Sequence, residues 1–162
     1  MGLLDIHVLG SPILRRDTEI VRTFDDELRR LADDMFETMH AAKGVGLAAP
    51  QVGRLERMAV IDVGEGAEPF VIVNPEIILA EGKVKGEEGC LSIPEIYGDV
   101  ERAARVRVRA QDVRGEPFEI EGMELLGRCM QHEIDHLHGR IFLDHLGAFR
   151  RRNALAKWER MK

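Results

Sequence analysis

The chain has 162 residues, 18.3 kDa and 44% hydrophobic residues, which suits a single compact domain over residues 1–162 with a real core and leaves too little for a second. Its net charge of −6 and pI near 5.6 exclude nonspecific coating of nucleic acid by the whole surface, since that binding needs clustered basic residues to neutralise phosphates. No run is long enough for a transmembrane helix, the N-terminus lacks a secretory pattern, and Ile6 stands where a myristoylation pattern needs Ser or Thr, so a cytoplasmic location and no membrane contact are expected. In a reducing compartment Cys90 and Cys129 are not expected to pair, and a free thiol is available to a metal.

Residues 1–22 contain Ile6-His7-Val8-Leu9 and a Gly-Ser-Pro turn, too short to carry a core and expected to pack against one. From about Thr23 to Lys43 the residues Phe24, Leu28, Leu31, Met35, Phe36, Met39 and Ala42 recur at helical spacing, with Asp25, Asp26 and Glu27 favouring the positive end of the dipole. A long amphipathic helix follows, its Met and Phe stripe read as a buried face. It stops at Gly44-Val45-Gly46-Leu47-Ala48-Ala49-Pro50-Gln51-Val52-Gly53, which lacks the Lys-Ser/Thr ending of a phosphate loop. Such small residues serve either a close approach to a ligand or a tight core turn, and composition leaves both open.

Met58 to Val63, Phe70 to Val73 and Ile77 to Ala80 read as strands, with Glu65-Gly66-Ala67-Glu68 as the turn between the first two. Arg105 to Ala110 alternates strictly, valines inward and arginines outward, and Phe118 to Ile120 returns after Arg114-Gly115 as a hairpin. Short turns in place of helical crossovers imply antiparallel pairing. The fold class expected is α+β: small antiparallel sheets packed around a central helix, with an N-terminal amphipathic helix and a short C-terminal one.

That central helix runs from near Met123 to Gly139 and carries His132-Glu133-Ile134-Asp135-His136. At about 100° per residue, imidazoles four apart lie about 40° from one another and reach one metal ion, with the carboxylate of the next residue alongside. HExxH is therefore a ligand pair with a built-in acid/base. Two ligands rarely suffice. The extended pattern HExxHxxGxxH is matched to Gly139 and fails at Phe142; His138 points away, and Glu159 lies in the basic tail. Upstream, Glu87-Glu88-Gly89-Cys90-Leu91-Ser92 offers a thiol in what reads as a loop. Taken singly Cys90 is a small buried hydrophobe; with HExxH it becomes the preferred third ligand of a Cys-His-His site, with Cys129 the rival thiol.

Gly44-Val45-Gly46-Leu47-Ala48-Ala49-Pro50-Gln51, Glu88-Gly89-Cys90-Leu91-Ser92 and Gln131-His132-Glu133-Ile134-Asp135-His136 resemble, in order, the signature motifs of the peptide deformylase family, and the similarity covers nearly the whole chain. The resemblance implies hydrolysis of the N-formyl group from nascent polypeptides that begin with formylmethionine, releasing formate. It implies a metal held by Cys90, His132 and His136, with Glu133 passing a proton from water to the amine and the Gln51 amide and Leu91 N–H holding the formyl oxygen. Val45, Gly46 and Gly89 would bind the extended peptide, with Leu125 and Cys129 walling the methionine pocket. The Arg128 stem is expected to line that pocket with its guanidinium in water, and Ile96 and Tyr97 to border the groove, where some relatives carry a basic residue. Arg102 is expected to pair with Asp135. Family members use Fe2+ as the usual ion, with Zn2+, Ni2+ or Co2+ as substitutes, and ligand identity does not choose among them.

Beyond Asp144, Arg150-Arg151-Arg152, Lys157, Arg160 and Lys162 face a single Glu159, and Leu155 and Trp158 suggest a short helix. This basic tail reads either as a solvated end or as a docking patch for something anionic, and the family resemblance implies the ribosome near its exit tunnel as that partner, on a protein expected to be monomeric. The rival readings are a zinc endopeptidase, which the missing downstream ligand opposes, and a non-catalytic metal-binding or docking module.

Overall fold

The computed structural model describes residues 2–64 and 66–162. The expected turn at 65–68 falls partly on Glu65, outside the described residues; beside it the Ala67 N–H donates to Gly64 O at 3.1 Å.

A short 3-10 turn, Pro12–Arg15, precedes helix α1, Asp26–Ala41. Asp25 caps α1 by accepting from the Leu28 N–H, and Asp26 and Glu27 sit in its first turn. Leu28, Leu31, Ala32, Met35 and Met39 bury one stripe, as their spacing predicts. The small-residue stretch after α1 is ordered: strand β1, Gly46–Ala48, runs into a 3-10 turn, Ala49–Val52, and every residue from Gly46 to Val52 is buried.

Strands β2, Met58–Ile61; β3, Phe70–Glu81; β6, Arg105–Gln111; and β7, Pro117–Met123, join β1 in a five-stranded sheet of order β1-β2-β3-β6-β7. All its pairs are antiparallel. The two strands expected at 70–73 and 77–80 are one. Asn74 takes a positive φ of 51° where the register shifts, and its side chain makes up the lost ladder bonds: Val21 N–H donates to Oδ1, and Nδ2 donates to Val21 O and Gln111 Oε1, each at 2.9 Å.

Strands β4, Val84–Cys90, and β5, Ile93–Arg102, form a separate antiparallel pair that sequence periodicity does not announce. Cys90 therefore ends a strand and does not sit in the loop expected there; the turn follows at Leu91 and Ser92. The signal is hidden because β4 reads VKGEEGC, with no apolar alternation. Ile93, Ile96 and Val100 pack on Ile141, Phe142, Leu143 and Leu146.

Helix α2, Glu124–Leu137, buries nine residues that span most of its circumference, so it is the molecule's interior helix. Its C-cap is His138, one residue before the expected Gly139, which stands just beyond at φ 76°. Met130, Ile134 and Leu137 join the core under the five-stranded sheet. A 3-10 turn, Phe142–His145, leads to helix α3, Ala148–Met161, which buries no residue fully. Among the described residues no helix is long and apolar enough to cross a membrane.

Candidate metal centre

Helix α2 presents His132 and His136 one turn apart, their ring centroids 5.0 Å from each other. The end of β4 brings in Cys90, whose Sγ lies 3.3 Å from His136 Nε2. One ligand atom from each of Cys90, His132 and His136 falls within 4.8 Å of the others. Both histidines are buried, and Cys90 is partly open to a cavity of about 650 Å³. The rival thiol goes elsewhere: Cys129 is buried and donates to Val45 O at 3.5 Å.

The donor set fits a divalent ion. A thiolate and two imidazoles suit first-row metals, and His132 Nδ1 is committed to Glu88 Oε1 at 2.9 Å, which leaves its Nε2 for the ion. Burial and its partners Arg102 and His132 decide the state of Glu88. Burial acts to raise its carboxyl, but hydrogen bonds from Arg102 and His132 outweigh that and hold it far below the usual range. Its Oε1 accepts from Arg102 Nη2 at 2.9 Å as well as His132; its Oε2 accepts from Arg102 Nε and Arg128 Nη1, both at 2.8 Å. Sequence reasoning missed this role of Glu88. A β4 recognised as a strand running toward α2 would have exposed it.

Glu133 is buried beside the ligands, and its Oε1 has no hydrogen-bond partner among the described residues. Burial pushes its carboxyl up to about 7, against the lowering effect of a charged His132. Burial lowers His136 strongly, helped by the charge of His132; His132 itself is raised despite burial, through Cys90, Glu133 and Glu88. A cation held at His132 Nε2 would compete with that proton and release it.

Gly46 shows why β1 carries no side chain here. A Cβ at that position would lie 2.6 Å from Glu133 Oε2 and 2.7 Å from Cys129 Sγ. The close approach at Gly46 is thus to a carboxylate and a thiol of the protein itself. Gln51 is buried; its Oε1 accepts from the Ala48 N–H at 2.9 Å, and its Nε2 donates to Ser92 Oγ at 3.1 Å and Cys90 Sγ at 3.6 Å. An incoming oxygen has to displace one of those two acceptors. Val45, Gly46, Gly89, Leu91, Leu125, Cys129, Ile96 and Tyr97 all border the same cavity. Leu125 is 48% exposed at its rim, and the Tyr97 ring lies against Gly89.

Arg102 pairs with Asp135 at 2.6 Å as well as with Glu88, and the Gln131 side chain bonds both the N–H and the C=O of Ala103 at 3.0 Å. The Arg128 guanidinium does not reach out to water as expected; it folds onto Glu88 and strand carbonyls, because four acceptors lie within its span.

The family model described as polypeptide deformylase matches residues 3–152. The peptide deformylase of Alkalilimnicola ehrlichii is 51% identical over 99% of this chain and 92% of that protein. The crystal structure of the Legionella pneumophila peptide deformylase superposes with a TM-score of 0.94 at 48% identity, covering 98% of this chain and 95% of the other. That of the Ehrlichia chaffeensis enzyme in complex with actinonin gives 0.94 at 41% identity, covering 100% and 99%.

Proposed function

Since the chain belongs to the peptide deformylase family, we propose that its Cys90, His132 and His136 hold the family's metal ion and that Glu133 is the acid/base. The protein removes the N-formyl group from the formylmethionine that begins nascent polypeptides, releasing formate. The observation that carries the residue assignment is the convergence of one thiol and two imidazole nitrogens within 4.8 Å beside a buried carboxylate, with Cys90, His132 and Glu133 lining one cavity.

A divalent ion at this donor set supplies Lewis-acid chemistry, acidifying water and polarising a carbonyl. The remaining work falls to side chains and backbone. Glu133, with an unpartnered oxygen and a carboxyl near neutrality, takes the proton of the attacking water and delivers it to the departing amine. The Gln51 amide and the Leu91 N–H hold the formyl oxygen as charge develops on it. Glu88 fixes the His132 ring through Nδ1. Val45 and Gly46 on the β1 edge and Gly89 on β4 bind the extended peptide, while Leu125, Cys129 and the Arg128 stem wall the methionine pocket.

Fe2+ is the ion proposed, with Zn2+, Ni2+ or Co2+ able to substitute; metal analysis of protein purified without oxygen decides it. Residues 1–162 act as one catalytic domain, monomeric and cytoplasmic. The exposed basic face of α3, with Arg150, Arg151, Arg152 and Lys157, docks near the ribosomal exit tunnel.

The test is formate release from formyl-Met-Ala-Ser, with unformylated Met-Ala-Ser as control. Metal-replete protein should release formate from the first alone. No release would sink the assignment.

A further inference from the structure

Arg128 stands on α2 one turn before His132, with its side chain 13% exposed. Its Nη1 donates to Glu88 Oε2 at 2.8 Å and to Val100 O at 2.9 Å; its Nη2 donates to Val84 O at 3.1 Å; Gly86 O lies 3.5 Å from Nη1. Val84 and Gly86 belong to β4 and Val100 to β5, so one guanidinium spans both strands. The strand is shaped to receive it. A Cβ at Gly86 would fall 3.0 Å from Arg128 Cζ and Nη2 and 3.1 Å from Nε, so even the smallest side chain there would shift the guanidinium, and a branched one would shift it further.

Glu88 would keep its bidentate partner Arg102 without Arg128, so neutralising the carboxylate is not what this residue adds. Its separate contribution is to position. Only a planar fork with several fixed donors meets a carboxylate and carbonyls of both strands at once; an ammonium reaches fewer. We propose that Arg128 is a positioning residue for the metal centre: it ties the sheet that carries Cys90 to the helix that carries His132 and His136, and so sets how firmly the three ligands hold their ion. The inference rests on the ligand set proposed above.

Three variants test it, Arg128→Met, Arg128→Lys and Gly86→Val, the last displacing the guanidinium without removing its charge. The readout is transfer of Zn2+ from loaded protein to a chromophoric chelator, well below each variant's unfolding temperature. Arg128→Met and Gly86→Val should release Zn2+ at least about 10-fold faster than the parent, the low end for groups that orient ligands, with Arg128→Lys between the parent and these two. A merely structural residue would lower the unfolding temperature and leave release at low temperature unchanged. Release from Arg128→Met, or from Gly86→Val should the first not fold, within twofold of the parent overturns the proposal. Parent protein that retains no Zn2+, or Cys90→Ser that retains it as well as the parent, overturns the ligand set instead.

Discussion

In the five-stranded sheet the interior is apolar and the charges stand outside: Ile72, Val106 and Val108 are fully buried, while Arg105, Arg107 and Arg109 meet Glu81, Glu119 and Glu121 in solvent. Across α2, the two-stranded sheet reverses that order on the face it turns to the helix. Glu88 and Arg102 have side chains only 4% exposed and bond His132 and Asp135 there. Exposed ion pairs are solvated and tolerate many geometries, so they add little and specify little. Buried ones are costly unless every donor and acceptor is met, and that requirement admits few arrangements. The metal ligand from outside the helix sits on the sheet whose position is held in this second way.

The contrast is sharpest at α2, which lies between the two and carries the proposed acid/base. Glu133→Ala should cut deformylation by at least about 10²-fold while metal content and folding persist, because among the described residues its Oε1 has no partner and its side chain ties neither sheet. A rate within tenfold of the parent would remove Glu133 from the acid/base role. Of comparable size, though read in stability and not in rate, Arg102→Leu strips Glu88 and Asp135 of their shared partner; it should cost about 3–5 kcal/mol in denaturant unfolding. In the apolar sheet, Ile72→Val removes one methylene from a fully buried side chain and should cost about 0.5–1.5 kcal/mol. Smallest is Arg107→Ala, on the solvent ladder with Glu121, at no more than about 1 kcal/mol. If Arg102→Leu proved as mild as Arg107→Ala, the distinction between the sheets would collapse.

The apolar sheet was the more legible of the two in the sequence. Valines alternating with arginines from 105 to 110 announce β6, and the α1 stripe announces its own buried face. The pair β4–β5 was not legible, since Glu, Lys and Gly fill β4 and its inward residues include a charge that only a distant partner makes tolerable. Arg128 was misjudged for the same reason: a long cation beside a pocket ordinarily seeks water, and nothing local reveals the carbonyls of Val84 and Val100.

The sequence by itself determined that His132 and His136 share a helix face with Glu133 beside them, because helical periodicity is a local property. It also supplied Cys90 as the preferred third ligand, by the failure of the downstream pattern and by resemblance. Only the tertiary structure decided that Cys90 reaches His136 across 46 residues, and that Glu88 reaches His132 across 44. Such contacts are set by how the two sheets pack on α2 and by which buried charges can all be satisfied together, and no spacing along the chain encodes that.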